Sequence, residues 1–452
     1  MILLEKIFQY ARRKGVFVKI ITREKVMLHK IVKCVLLVSV LLSVFLVGCS
    51  KYNPPASAYL PLDSGNLKEA GIDPAGLAKI DGVILEAIQK EHAPGGVLIV
   101  GKDNKIVYQK AYGNRRVKPY MEDMTVDTIF DLASCSKVLG TSMMTMLLIE
   151  DGELSLSTKV ADILPQFGAE GKCNVTVWNL LTHTSGLPPY CSWKDADEKR
   201  GDKSQADALI DYIASLEKRY PTGEYYLYSC LNFLTLARVN ETVAGESMHS
   251  FLKRRVWNPL GLESTGYLLT EEQKSRTAPT STGDSTNNVG IVHDPLAHYY
   301  KATEEHCPGN AGLFMSAGDM AVIAQLVLNE GMYNNVRVFE PEIVRMWTTE
   351  HMRKPQYKAD KEPDHKGEIN RRALAWINYL DPPYISPKAP DGSFIGHTGW
   401  TGTYIWIDKN TKTFLIFNTN TVHPYGPPKI HSYRKRITET LLNHMEEYGD
   451  RY

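Results

Sequence analysis

The segment Thr128-Ile-Phe-Asp-Leu-Ala-Ser-Cys-Ser-Lys-Val-Leu-Gly140 contains an S-x-x-K motif, Ser134-Cys-Ser-Lys137, directly before a long apolar run. This run is apolar on nearly every helical face, which predicts a buried central helix that begins near Ser134. Because serine is a favoured N-cap residue, we expect Ser134 to cap this helix. The apolar residues of the run are Val138, Leu139, Met143, Met144, Met146, Leu147, Leu148 and Ile149.

The spacing of Ser134 and Lys137 places both side chains on one helical face, about one turn apart. A helix N-terminus offers unpaired N–H groups and a partial positive charge, which stabilise an alkoxide or an oxyanion. A lysine in a tight, partly dry site loses some preference for its charged form and can help to deprotonate a serine hydroxyl. The alternative is a plain serine cap beside a solvated lysine, because S-x-x-K also occurs by chance. The apolar residues after Lys137 favour a position in the interior or in a cleft.

Composition limits the classes of function. The chain has 452 residues, of which 43% are hydrophobic and 23% are charged, as in a soluble globular protein with one large domain or two ordinary ones. A formal net charge of +1 gives no field that would steer nucleic acid. No zinc-spaced Cys/His set and no phosphate-binding glycine loop occurs, so we expect neither a metal nor a cofactor. The seven cysteines lack the spacing of a disulfide framework.

Residues 1–49 have the layout of a bacterial secretory signal. Lys30 and Lys33 precede an apolar run that is short for a membrane span. The run ends in Leu46-Val-Gly-Cys49, which resembles a lipobox, and Cys49 would then carry the lipid of the mature protein. A retained membrane helix is the alternative. The same resemblance suggests that translation begins at Met27, with residues 1–26 untranslated.

The rest of the chain divides into a tether over residues 50–70 and one folded domain over residues 71–452. Strand patterns occur near both ends of this domain, and a mainly helical region over about residues 140–350 lies between them. This order predicts an α+β fold whose sheet is built from N- and C-terminal parts, with a helical subdomain inserted. The predicted strands cover residues 95–100, 106–111, 373–380, 403–407 and 413–418.

A serine–lysine nucleophile also needs a second proton-handling group and an oxyanion hole, and two later stretches can supply them. Pro221-Thr-Gly-Glu-Tyr-Tyr-Leu-Tyr-Ser-Cys230 places Tyr228 directly before an apolar helical pattern. Gly396-His-Thr-Gly-Trp-Thr-Gly402 directly precedes a predicted strand.

Together these stretches resemble the serine β-lactamase-related family: class C β-lactamases, D,D-peptidases and esterases of one fold. Their motifs are S-x-x-K, Y-x-N and K-T-G or H-T-G, in this order. Leu181-Thr-His-Thr-Ser-Gly-Leu187 and Gly309-Asn-Ala-Gly-Leu-Phe-Met-Ser-Ala-Gly-Asp319 resemble two further family signatures. The similarity covers roughly residues 75–445. It implies a β-lactamase/transpeptidase-like fold, with a central antiparallel sheet flanked by helices.

The resemblance also implies roles for the first two motifs. Ser134 would attack an acyl carbon, while Lys137 and Tyr228 relay the proton to the leaving group and from the incoming water. The backbone N–H groups of Ser134 and Trp400 would form the oxyanion hole. An ammonium near a phenol stabilises the phenolate, so Tyr228 can act as a base. The alternative for Tyr228 is a core tyrosine whose hydroxyl is satisfied.

In the third motif, His397, Thr398 and Gly399 are implied as substrate-binding residues. His397 would bind a substrate carboxylate when it is protonated, or donate a hydrogen bond when it is neutral. A purely structural histidine is the alternative. We expect His183, in the Leu181–Leu187 signature, to be structural, with a hydrogen bond inside its own turn.

Two positions depart from the family pattern. Cys230 stands where an asparagine would hold a substrate amide, and a thiol forms only weak hydrogen bonds. Asn232 is two residues further on, and Asn310 occupies a position where relatives often have histidine. Recognition of peptide or β-lactam amides is therefore in question. Cys135 and Cys230 would both lie near Ser134, and a disulfide between them is an open alternative.

These observations predict an exported, lipid-anchored serine hydrolase that works through an acyl-enzyme. Its substrate would be an ester, or a peptide or amide derived from the cell envelope, with no nucleic-acid partner. One alternative is a β-lactamase or D,D-carboxypeptidase. The other is a non-catalytic envelope-binding protein that keeps the fold.

Overall fold

The computed structural model describes residues 63–281, 288–355, 357, 369–378, 394–424 and 426–445. The predicted signal segment with Cys49 lies outside these residues, as do most of the predicted tether and positions 379–380 of one predicted strand. No helix within the described ranges is long and apolar enough to cross a membrane.

The strands are numbered in chain order and fall near the two ends of the domain, with short ones between. They are β1 (Asp63–Ser64), β2 (Gly95–Lys102), β3 (Lys105–Arg116), β4 (Glu122–Asp123), β5 (Ile129–Asp131), β6 (Thr265–Gly266), β7 (Phe314–Ser316), β8 (Met332–Tyr333), β9 (Val336–Arg337), β10 (Met352–Pro355), β11 (Ile369–Arg372), β12 (Ile377–Asn378), β13 (Phe394–Thr398), β14 (Tyr404–Asp408) and β15 (Thr413–Asn418).

The helices lie mostly between β5 and β10. They are α1 (Pro74–Gln89), α2 (Ser142–Glu150), α3 (Val160–Ile163), α4 (Val177–Leu181), α5 (Trp193–Glu198), α6 (Gln205–Ser215), α7 (Cys230–Ala244), α8 (Met248–Leu252), α9 (Asn258–Leu260), α10 (Glu271–Ser275), α11 (Pro295–Tyr300), α12 (Ala317–Leu328), α13 (Pro341–Thr348) and α14 (His431–Leu442). The described residues also form 3₁₀ turns at Ala133–Cys135 and Pro165–Gly168 and π-helical turns at Lys137–Thr141 and Lys253–Trp257.

The main sheet joins the two ends of the domain. Its order is β1-β3-β2-β15-β14-β13-β12-β11-β10, with β4 beside β3, and every pair except β1–β3 is antiparallel. N-terminal β2 pairs with C-terminal β15, for example Val100 with Leu415. The predicted antiparallel sheet with a helical insertion is therefore confirmed. A second sheet has the order β5-β7-β6 and lies next to the nucleophile segment in sequence.

Each face of the main sheet covers its own core. Strand β2 shows the period-2 alternation that this requires. Val97 and Ile99 belong to the larger core, which includes α2, α7 and α12. Leu98 and Val100 belong to the smaller core, under α1 and α14. The sheet is therefore buried on both faces. Helices α1 and α14, from the two ends of the domain, cover the face that carries the smaller core.

The segment after Ser134 is buried as predicted, but it does not begin as a regular helix. Residues 133–135 form a 3₁₀ turn, residues 137–141 form a π-helical turn, and only then does α2 start. The apolar run from Val138 to Leu148 is completely buried. The expectation that Ser134 is an N-cap is wrong, because Ser134 lies inside the 3₁₀ turn and its hydroxyl faces Lys137. Irregular turns at this point leave the serine side chain available for another partner.

One predicted strand is largely replaced by irregular chain. Of residues 373–380, the described part is a bend at 373–376 followed by the short strand β12. Ala375 has a φ of +71°, in the left-handed region that interrupts a strand. Its N–H donates to the carbonyl of Leu181, which ties this bend to the end of α4.

Candidate active site

Lys137 is the centre of a buried polar cluster. Its Nζ donates to Ser134 Oγ at 3.1 Å and to the carbonyl oxygen of Asn310 at 2.7 Å, and it lies 3.7 Å from Cys230 Sγ. The lysine side chain has no solvent exposure. The π-helical turn that contains Lys137 places its ammonium within reach of these three partners. The structure thus brings together residues that are 173 positions apart.

The turn that carries Ser134 is held by the carboxylate of Asp131. Asp131 Oδ1 accepts from the N–H of Ala133 at 2.9 Å, and Oδ2 accepts from the N–H of His293 at 2.7 Å. Ala133 has a φ of +45°, a strained value for a residue other than glycine. Burial raises the pKa of Asp131 to about 6, against the two N–H donors, which lower it. The strained residue directly before the nucleophile is therefore fixed by its neighbours.

Tyr228 lies beside the ammonium of Lys137, which is 5.1 Å from the centre of its ring. The ring of His183 also packs against the phenol, with ring centres 4.4 Å apart. His183 Nδ1 accepts from the N–H of Ser229, and burial holds the pKa of His183 well below its ordinary value. A neutral, hydrogen-bonded His183 packs on Tyr228, but the expected side-chain hydrogen bond inside its own turn is wrong, because its ring bonds the start of α7 at Ser229 and Asn232 instead.

The pKa of Lys137 is raised, contrary to the expectation that a dry site would lower it. Burial does disfavour the ammonium, but Cys230 and Tyr228 stabilise it whenever either of them is ionised. Lys137 is therefore a cation in this site, and the expectation that it is readily neutral is wrong.

Cys230 opens α7 and faces Lys137, while its N–H donates to the carbonyl of Pro189. Burial raises the pKa of the Cys230 thiol, which favours its neutral form. Cys135 and Cys230 are both free thiols, so the disulfide alternative is wrong. Asn232 does not replace the missing amide, because its side chain bonds Ser185 and His183 instead.

The turn after β13 is hydrogen-bonded to the nucleophile turn. Thr401 Oγ1 donates to the carbonyl of Asp131 at 2.7 Å, and Thr403 Oγ1 donates to the carbonyl of Leu132 at 2.8 Å. A Cβ on Gly399 would overlap the Leu132 carbonyl oxygen, so only glycine permits this approach. Among the described residues, the N–H of Trp400 donates no hydrogen bond, and its indole is 55% exposed. The third motif and the S-x-x-K motif therefore form one unit.

His397 is buried near Tyr228, with ring centres 6.4 Å apart. Its Nδ1 lies 3.0 Å from the carbonyl of Thr398, and its Nε2 has no hydrogen-bond partner in the described part of the chain. Burial, followed by the charges of Arg372 and Lys137, holds the pKa of His397 well below its ordinary value. Of the two roles considered, the neutral form is therefore favoured.

Sequence reasoning missed Arg372, at the end of β11. Its guanidinium lies 5.0 Å from the centre of the Tyr226 ring and 5.8 Å from that of Tyr228, and Nη2 donates to the Tyr226 hydroxyl. Only 7% of this side chain is exposed. No described carboxylate pairs with Arg372, and its buried Nη1 is without a hydrogen-bond partner there. No motif surrounds it, so no pattern in the sequence identifies it.

Asp294 was also missed, and Asn310, which the sequence marks only as a departure from the family pattern, was not predicted to contact Lys137. Asn310 Nδ2 donates to Asp294 Oδ1 at 2.9 Å, which fixes the turn whose carbonyl accepts from Lys137. Asp294 is the N-cap of α11, where its Oδ1 also accepts from the N–H of Ala297. The Asp-Pro pair signals a helix start in the sequence, but nothing in it links this cap to Lys137.

Comparison with known proteins gives concordant results. A family model described as Beta-lactamase matches residues 80–439. Two curated relatives are each 28% identical: a putative D-alanyl-D-alanine carboxypeptidase of Escherichia coli K12 (86% of this chain, 92% of the relative) and an N-acetylmuramyl-L-alanine amidase of Bacillus subtilis 168 (79% and 84%). Two solved structures, each with a TM-score of 0.63, share the fold. One is a penicillin-binding protein homologue from Caulobacter crescentus (19% identical, 82% of this chain, 99% of that one), and the other is a class C beta-lactamase (18%, 82% and 97%).

Proposed function

The chain belongs to the beta-lactamase family and is a serine hydrolase, and we propose that Ser134 is its nucleophile. The hydrogen bond between Ser134 Oγ and Lys137 Nζ supports this assignment. We assign the proton relay to Lys137 with Tyr228. The N–H groups of Ser134 and Trp400 are assigned to the oxyanion hole. The hydrogen-bonded Ser134–Lys137 pair gives no support to a non-catalytic role.

The relay accounts for both halves of the reaction. Ser134 Oγ forms a bond to the acyl carbon while its proton passes to the Tyr228–Lys137 pair, and the carbonyl oxygen becomes an oxyanion held by the two N–H groups. When the oxyanion collapses, the bond to the leaving group breaks and the leaving group receives the proton. Water then attacks the acyl-enzyme, gives its proton to the same pair, and releases Ser134 with its proton restored.

The substrate we propose is a peptide or amide of the cell wall that ends in a free carboxylate. The observation that carries this proposal is Arg372, a buried guanidinium next to Tyr228 without a carboxylate partner among the described residues. A buried cation that stays unpaired is costly, and an anionic ligand removes that cost. The neutral His397 beside it can take part in a hydrogen bond to the same ligand. The names of the two curated relatives also describe hydrolysis next to alanine.

Substitution of Arg372 tests the proposal with two peptides. We expect Arg372→Gln to lower kcat/KM about 10- to 100-fold for an N-acetylated peptide ending in D-alanyl-D-alanine, the range for a hydrogen bond to a charged group. The same peptide with an amidated C-terminus is a poor substrate for the wild type and should be affected little. The rate of hydrolysis is measured from the amount of terminal residue that is released.

Arg371→Gln is the matched control, because successive strand residues point to opposite faces and Arg371 pairs with Glu350. It should leave both peptides unaffected. An equal loss for the two peptides in Arg372→Gln would contradict the carboxylate role. Turnover by Ser134→Ala, or no Ser134 adduct when the wild type meets a small fluorophosphonate, would contradict the nucleophile assignment.

We further propose that the protein is exported and anchored by a lipid on Cys49. The basic residues Lys30 and Lys33, the apolar run and the Leu46–Cys49 sequence support this. Expressed in a bacterium, the wild type should appear in the membrane fraction with Cys49 as its modified first residue. Cys49→Ala should remain unprocessed and carry no lipid. Peptides from residues 1–26 in the mature protein would contradict both the cleavage and the start at Met27.

A further inference from the structure

Arg434 is a buried cation on α14 that contacts the backbone of the third motif. Its side chain is 1% exposed. Nη2 donates to the carbonyl oxygen of Gly399 at 2.8 Å and to that of Thr403 at 3.1 Å. A guanidinium holds two acceptors in a fixed planar geometry, which an ammonium does not. Both acceptors belong to the turn that contains Trp400.

The carbonyl of Gly399 and the N–H of Trp400 belong to one peptide unit. This unit is trans, since the cis bonds of the described chain are Lys118–Pro119 and His423–Pro424. In a trans peptide the C=O and the N–H point in opposite directions. With its carbonyl fixed on Arg434, the unit must direct the N–H of Trp400 away from α14. A charged donor on the carbonyl also polarises the unit, so the N–H becomes a stronger donor.

The same turn is also hydrogen-bonded to the segment that carries Ser134. Thr401 and Thr403 donate to the carbonyls of Asp131 and Leu132. The carbonyl of Gly399 also accepts from the N–H of Gly402 at 3.2 Å, which closes the turn. The peptide of Trp400 therefore belongs to a turn that is hydrogen-bonded both to Arg434 and to the nucleophile turn.

From this arrangement we infer that Arg434 is a positioning residue of the oxyanion hole, which orients and polarises the N–H of Trp400. The inference rests on the proposed function, because it takes this N–H as an oxyanion donor. Arg434 does not contact the substrate, so its effect falls on the transition state, in which the oxyanion forms. It should change kcat much more than KM.

The test compares an ester with its thionoester. We expect Arg434→Lys to lower kcat for p-nitrophenyl acetate about 10- to 30-fold, less than the loss of a whole oxyanion donor, with KM nearly unchanged. A thiocarbonyl sulfur accepts hydrogen bonds weakly, so the thionoester gains less from the hole. The ratio of ester to thionoester turnover should therefore fall in the variant by a similar factor. A role limited to stability would not change this ratio.

Arg436→Lys is the matched control, because Arg436 lies on the same helix, is exposed and pairs with Glu86. Arg434→Gln, which keeps an NH₂ donor group but removes the charge, is the second variant. If turnover is too slow, the rate of Ser134 phosphonylation by a fluorophosphonate replaces it, since the P=O oxygen needs the same donors.

An unchanged ratio or rate in a folded variant overturns the inference, as does failure of both variants to fold. A wild type with neither turnover nor adduct overturns the proposed function itself.

Discussion

By its resemblance to the family motif, Cys230 stands where an asparagine is expected to hold a substrate amide. Its thiol lies 3.7 Å from Lys137 Nζ, and burial favours the neutral thiol. A thiol is a weak donor and a weak acceptor, so a substrate amide gains little from it. The site therefore relies on other contacts for recognition, and Arg372 is the one that we propose.

We predict that Cys230→Asn increases acylation of Ser134 by benzylpenicillin. One added neutral hydrogen bond contributes about 1 kcal/mol, which corresponds to a rise of about fivefold to tenfold in the second-order rate. Intact-mass spectrometry of the adduct over time measures this rate. Cys191→Asn, a half-buried cysteine that does not contact Lys137, should leave the rate unchanged. A fall in the rate for Cys230→Asn would mean that the thiol itself is needed near Lys137.

Among the secondary-structure elements, the main sheet and the buried segment after Ser134 were predictable because their signals are local. The apolar run over residues 138–148 is buried whatever helix type it adopts, and alternation marks β2. The 3₁₀ and π-helical turns around Ser134 were not predictable, since apolar periodicity does not distinguish them from an α-helix. The tertiary contacts of Asp131 and the motif turn decide that geometry.

The site residues also divide into those that the sequence identifies and those that only the structure identifies. Ser134, Lys137, Tyr228 and His397 stand in motifs, so the sequence placed them in one site, and the structure brings them together. Their roles remain predictions until they are tested. Arg372, Asp294 and Arg434 have no motif around them. Each is defined by a partner far away in the chain, such as Arg434 by the carbonyl of Gly399, and such pairs cannot be derived from spacing.

For the molecule as a whole, the closure of the sheet by the two chain ends places the site between two groups of elements. The helical insertion supplies Tyr228 and Asn310, while the sheet supplies His397 and the turn after it. Within the insertion, Glu241 of α7 holds the turn that leads to Asn310, because its Oε1 accepts from the N–H of Met248 at 3.0 Å and from that of Cys307 at 2.6 Å. Cys307 begins the turn whose Asn310 carbonyl holds Lys137.

Glu241 should make the stability of the molecule depend on pH. Burial raises its pKa from 4.5 to about 8, against its two N–H donors. Between these values the unfolded chain has released the proton that the folded protein keeps, so stability falls as pH rises from about 4.5 to 8. Glu241→Gln keeps an acceptor and cannot ionise. We predict that the unfolding free energy of the variant, measured relative to that of the wild type, rises by up to about 1.4 kcal/mol per pH unit from pH 5 to 8. Urea unfolding at each pH measures this difference, and other titrating groups cancel because both proteins have them.

Glu342→Gln, at a carboxylate that is 76% exposed, should show no such trend. A difference between Glu241→Gln and wild type that is constant across this range would mean that Glu241 is ionised in the folded protein.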